Sequence, residues 1–146
     1  MADRISRAQR SEIMRRVRTK DTAPEVELRQ ALYGRGYRYR LHVRSLPGRP
    51  DIVFHTRKVV IFVNGCFWHG HNCRRGALPK TRTDFWSTKI AGNRSRDRKA
   101  AEALRQAGWR VAIVWECQLK YPDRVLRRLT RILGTPGKKA QRKQTA

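Results

Sequence analysis

At 146 residues the chain has room for one domain, and a hydrophobic fraction of 39% with 8% aromatics supplies a core, which excludes disorder throughout. Lys and Arg number 35 against 11 Asp and Glu, a formal charge of +24 that solubility does not need, so the expected partner is a polyanion. No apolar run nears the roughly 18 residues that span a bilayer. No signal-like core follows the opening MADRISRAQR, and three cysteines cannot all pair within one chain. The expectation is a cytoplasmic protein with reduced thiols whose leading partner is nucleic acid.

Residues 1–20 are basic, and the apolar period of Ile5, Ile13, Met14 and Val17 predicts a helical arm over roughly 6–18. Thr22, Pro24 and Glu25 read as a capping box opening a second helix, which Val26, Leu28, Ala31 and Leu32 carry to Gly34 and Gly36. Residues 37–43 alternate as a strand, and 45–50 form a turn. Two short strands, 52–54 and 59–63, flank a polar hairpin turn at 55–58. Residues 64–80 are irregular and rich in Gly, His and Cys. Helical texture returns at 84–90 and again at 93–107, where Gly108 stops it. A strand over 109–115 and an amphipathic helix over 122–133 complete a domain body of 21–134. The basic, acid-free residues 135–146 are expected to form a disordered tail. This order predicts an α/β fold, a small mixed sheet flanked by helices.

Cys66, His71 and Cys73 fall in the loop leaving one strand, and Cys117 lies just past the end of another. If those strands are neighbours, the four side chains converge as a closed Cys₃His set, which suits a structural Zn²⁺. In the other reading Cys66 and Cys117 are small buried apolar residues. Asp51 stands where a central strand begins, a place from which a carboxylate can hold Mg²⁺ with water and phosphate oxygens; an Asp after Pro is also an ordinary turn residue. Asp97 shares a helical face with Ala100, Ala101 and Leu104, so it points toward the sheet and needs a partner, either catalytic or a structural Arg. Glu25 shares a face with Leu28 and Leu32, although capping explains it almost as well. His69 lies outside the four-ligand set and is a candidate for proton transfer. His42 and His55 have no chemical context. Phe67, Trp68 and Trp86 sit among basic residues, where rings can wedge between base pairs or simply cover the metal site.

Three strings and a split fourth carry a resemblance: residues 46–51 (LPGRPD), 60–69 (VIFVNGCFWH), 81–86 (TRTDFW), and 108–111 with 114–117 (GWRV, VWEC). Over residues 10–117 the chain resembles the very-short-patch-repair (Vsr) DNA mismatch endonucleases. The resemblance implies a restriction-endonuclease-like core that nicks one strand of double-stranded DNA 5′ to the T of a T:G mismatch, the product of 5-methylcytosine deamination. It implies Mg²⁺ held by Asp51 and the backbone carbonyl of Val63, with Glu25, His69 and Asp97 in the same active site. Zn²⁺ is then held by Cys66, His71, Cys73 and Cys117, while Phe67, Trp68 and Trp86 intercalate beside the mismatch and the N-terminal helix clamps the opposite groove. The chain departs from the family pattern at Val63 and Asn64, where Thr then His is usual. A backbone carbonyl survives the first change; Asn64 can orient a water but not move a proton at neutral pH. The implied partners are mismatch-repair proteins and a companion cytosine methyltransferase, with the enzyme itself a monomer. The alternative is a zinc-stapled DNA-binding module of the same fold whose nuclease activity is weakened or lost.

Overall fold

The computed structural model describes residues 23–136. The expected arm over 6–18, the Thr22 cap and the tail from residue 137 lie outside them. Helix α1 (Ala23–Gly34) buries Leu28 and Leu32 on one side. It ends where Gly36, at φ 99°, turns the chain so that the Tyr37 amide bonds back to the Leu32 carbonyl at 3.1 Å.

The strand expected over 37–43 is reduced to β1 (Arg40–Leu41). The alternation reflects packing instead of pairing: Tyr37 and Tyr39 set their rings edge-on to Phe54 at 6.2 and 5.8 Å, and the Tyr39 hydroxyl donates to the Arg29 carbonyl. His42 then leaves the extended region, at φ 49°, and stops the strand.

Strands β2 (Ile52–Phe54) and β3 (Val59–Asn64) form the expected antiparallel hairpin, with Ile52 opposite Ile61 and Phe54 opposite Val59. Strand β4 (Arg110–Trp115) lies parallel to β3 and in register from Val59↔Arg110 to Asn64↔Trp115, giving the mixed order β1-β2-β3-β4.

The β3-to-β4 crossover carries α2 (Thr83–Gln106), a single helix of 24 residues where two were expected. Gly92 costs about 1 kcal/mol relative to Ala but does not break the helix, because Ile90 on one side of it and Ala101 and Leu104 on the other bury the same stripe. Helix α3 (Pro122–Leu133) has its expected bounds and buries Val125, Leu126, Leu129 and Leu133.

The sheet is covered on both faces. Ile52, Phe54, Val59, Ile61, Ala112 and Val114 meet α1 and α3; Val53, Val60 and Trp109 meet Leu104 of α2. Alternate residues of the strands feed the two cores, as a period of two requires, and each fully buried aliphatic is worth about 1.5–3 kcal/mol. At the hairpin end, the Arg57 guanidinium donates to the carbonyls of Leu133, Thr135 and Pro136 and ties the turn to the end of α3. Among the described residues, no helix is long and apolar enough to cross a membrane.

Candidate active site and metal group

The chemistry collects at the sheet end opposite the hairpin, where β2 starts and β3 and β4 stop. Asp51 is fixed by its backbone: its amide donates to the Ile61 carbonyl and its own carbonyl accepts from the His42 amide at 3.2 Å. Its Oδ2 accepts the Val63 amide at 2.7 Å. Burial pushes this carboxyl from an ordinary 3.8 up to about 7, against the Val63 hydrogen bond that pulls it down; the charge of Glu25 adds to the rise, and His42 and His69 oppose it.

A cleft of about 710 Å³ opens on the α2 side of this edge, lined by Asp51, Val63, Asn64, His69, Asp97 and Arg96 among others. His69 Nδ1 lies 2.6 Å from Asp97 Oδ2. Asp97 sits two turns before Leu104 on the same face of α2, so the burial of Leu104 holds the carboxylate over the cleft. Asn64, at the end of β3, is 6% exposed. The cleft thus gathers Asp51, Val63, Asn64, His69 and Asp97, five of the six residues expected in the active site; the sixth, Glu25, is not among its lining residues.

Glu25 is 2% exposed and lies against His42, whose Nε2 is 2.9 Å from Glu25 Oε2 and whose Nδ1 is 3.9 Å from Asp51 Oδ1. Ligand atoms of Glu25, His42 and Asp51 lie within 4.8 Å of one another, a group able to hold an ion. His42 is the residue the sequence reading passed over. Its signal lies in the register: β1 runs antiparallel to β2 with Leu41 opposite Ile52, which brings the next residue, His42, to Asp51.

The second group is Cys66, His71, Cys73 and Cys117, whose ligand atoms also lie within 4.8 Å of one another. The parallel pairing of β3 and β4 is what brings the loop to Cys117. Cys117 Sγ is 3.5 Å from His71 Nδ1, and the Cys117 amide donates to Cys66 Sγ at 3.3 Å. Burial pushes the Cys66 thiol up to about 12; at Cys73 desolvation is outweighed by hydrogen bonds with His71 and the Gly76 backbone, which bring it down to about 7. Trp115 stacks on the His71 ring at 4.3 Å and 16°, so Trp115 covers this histidine.

Phe67, Trp68 and Trp86 pack on one another, their centroids 5.1–5.7 Å apart. Phe85, 46% exposed, extends the cluster from Trp86 at 5.1 Å, with the Arg82 guanidinium over its ring.

The family profile of DNA mismatch endonuclease Vsr matches residues 2–75. The type II nicking enzyme V.XorIIP of Xanthomonas oryzae pv. oryzae is 53% identical over 133 residues, covering 91% of this chain and 98% of that protein. The type II nicking enzyme V.NmeAIP of Neisseria meningitidis is 42% identical over 91% of this chain and 95% of its own length. DNA mismatch endonuclease Vsr of Escherichia coli is 49% identical over 120 residues, 82% of this chain and 77% of that protein.

Proposed function

Since this chain belongs to the Vsr family of DNA mismatch endonucleases, we propose that it nicks one strand of duplex DNA 5′ to the T of a T:G mismatch, acting as a monomer on a restriction-endonuclease-like core. The observation that carries this reading is the single cleft in which Asp51, pinned by the Val63 amide, faces the His69–Asp97 pair.

The carboxylate and backbone donors at this edge fit a hard divalent cation: Asp51 Oδ2 is committed to Val63, and Oδ1 is the oxygen on the His42 side. Asp51 and the Val63 carbonyl would hold Mg²⁺, which when bound supplies positive charge for the scissile phosphate and lowers the pKa of its water. Asp97 accepts from His69 Nδ1–H and so fixes the tautomer in which Nε2 carries the lone pair. His69 takes the proton of the attacking water as its oxygen bonds to phosphorus and the P–O3′ bond breaks; the 3′ oxygen takes a proton from solvent water and leaves as a hydroxyl, and the phosphate stays on the 5′ oxygen of the downstream nucleotide. Asn64 orients the water by hydrogen bonding.

Cys66, His71, Cys73 and Cys117 suit Zn²⁺: three thiolates and an imidazole complete a tetrahedron, and neighbouring sulfurs in such a site lie roughly 3.8 Å apart. The role assigned to this site is structural, holding the loop that bears His69. Phe67, Trp68 and Trp86 would wedge beside the mismatch while cationic side chains hold phosphates.

The test is cleavage of labelled duplexes, matched and with one T:G mismatch in several flanking contexts, in Mg²⁺. A single nick 5′ to the mismatched T, absent for Asp51→Ala, is the expected result. Binding without a nick in any context would overturn it in favour of a mismatch-binding module.

A further inference from the structure

The cleft described above contains an imidazole for which the proposed reaction has given no task. His42 is placed with some care: β1 stops at Leu41, the chain turns into the left-handed region at φ 49°, and the His42 amide hydrogen-bonds to the Asp51 carbonyl. A non-glycine residue held there is uncommon, and the turn sets where the His42 side chain goes. It is aimed between two carboxylates. Nε2 is 2.9 Å from Glu25 Oε2, a hydrogen bond to a group only 2% exposed, whereas Nδ1 is 3.9 Å from Asp51 Oδ1.

These two distances have different meanings. The shorter is the distance of a hydrogen bond to Glu25, and in the neutral ring that donates it from Nε2–H the lone pair is on Nδ1, the nitrogen on the Asp51 side. The longer exceeds hydrogen-bonding range. It does suit two ligands of one ion: atoms roughly 2.1–2.2 Å from an octahedral centre lie about 3 Å apart as neighbours and about 4.3 Å apart across it. A ring bound through one nitrogen and donating its other N–H to a carboxylate is also the arrangement that orients metal-binding histidines generally.

We propose that His42 is a ligand of the active-site cation, bound through Nδ1 beside Asp51 with Glu25 as the positioning residue behind it, and that it moves the site's preference from Mg²⁺ toward Mn²⁺. This rests on the reading of Asp51 as the cation's seat. Mg²⁺ favours oxygen donors and retains its waters, whereas Mn²⁺ has the same charge and preference for six ligands but accepts imidazole more readily. One nitrogen in an otherwise oxygen site therefore discriminates between the two.

The experiment uses the full-length, zinc-loaded protein and Mn²⁺ as the probe, without DNA. Electron paramagnetic resonance of free Mn²⁺ gives its Kd, competition gives the Kd for Mg²⁺, and pulsed spectra report any nitrogen bound to the ion. Wild type is expected to bind Mn²⁺ at least about tenfold more tightly than Mg²⁺, with a nitrogen coupling. His42→Gln should lose the coupling and about tenfold in Mn²⁺ affinity while Mg²⁺ affinity changes less than about threefold; a tenfold change corresponds to about 1.4 kcal/mol. Mn²⁺ bound through Asp51, and lost in Asp51→Asn, but without nitrogen coupling in the wild type would overturn the role of His42 alone. So would a coupling that survives His42→Gln. Mn²⁺ binding untouched by Asp51→Asn would instead remove the cation seat on which the proposed reaction depends, and this inference with it.

Discussion

A β-carbon added to Gly76 would lie 1.9 Å from the His71 carbonyl oxygen, whereas one added to Gly34 would meet nothing within 4 Å. Gly76→Ala is therefore expected to open the Cys/His loop, with zinc content falling below one per chain by metal analysis. Gly34→Ala should keep the metal and gain roughly 0.4–1 kcal/mol in denaturant melts. Asp51 adds a pH dependence. Its folded pKa, about 7, lies above its ordinary 3.8, so the folded chain binds this proton more tightly than the unfolded chain does. This contribution to stability is full below about pH 4, declines as pH rises toward 7, and is gone above. Without added divalent ion, Asp51→Asn should melt above wild type at pH 8, with the gap closing by pH 4; a constant gap would refute the assignment. The proximity of Asp51, His69 and Asp97, and of the four Cys/His side chains, was legible because rare chemical side chains stood at strand ends, on a helical stripe or in one Cys/His-rich loop, and because the matched strings carried a family resemblance. His42 was not, since its meaning arises only when antiparallel pairing carries it to Asp51.

At the scale of elements, α2 separates architecture from chemistry. Leu104 is fully buried beneath it, and Asp97 hangs two turns earlier. Leu104→Ala should cost about 2–5 kcal/mol of global stability by denaturant titration. Asp97→Asn should leave the melt nearly unchanged yet lower kcat for nicking about 10²–10⁴-fold, because the His69 tautomer is no longer fixed. Equal losses in both assays would mean that Asp97 is only a structural partner. Elements with one buried stripe or a short apolar run were readable: α3 has its expected bounds, and β2, β3 and β4 lie within one residue of theirs. The errors came where a local pattern had two meanings. Gly92 resembles a helix stop until the stripe is followed past it, and the alternating tyrosines before β1 resemble a strand although they pack beneath α1 without pairing.

For the whole molecule, the chain carries a charge of +24, and among the described residues its arginines stand on two unlike faces. The cleft opens beside α2 and includes Arg49 and Arg96, whereas Arg124, Arg127, Arg128 and Arg131 are exposed on α3, which packs on the other face of the sheet. A duplex seated in the cleft lies on the α2 side of the sheet, away from the α3 arginines. Arg49→Ala and Arg96→Ala are expected each to reduce the salt slope of duplex binding by about one, and Arg127→Ala with Arg131→Ala to leave it unchanged, by fluorescence anisotropy across a salt series. The sheet edge itself has a further consequence. Along β3 and the loop after it, Val63 and Asn64 serve the cleft, Cys66 the metal group, His69 the cleft again, and His71 and Cys73 the metal group. The two sites are threaded on one stretch of chain, so a strain that opens the Cys/His group is passed along the backbone to His69. With zinc as the staple, loss of the metal is expected to loosen the loop that carries His69 while the sheet, whose two cores lie elsewhere, stays folded. Competence to cut then tracks the state of the four ligand side chains and not the fold of the sheet.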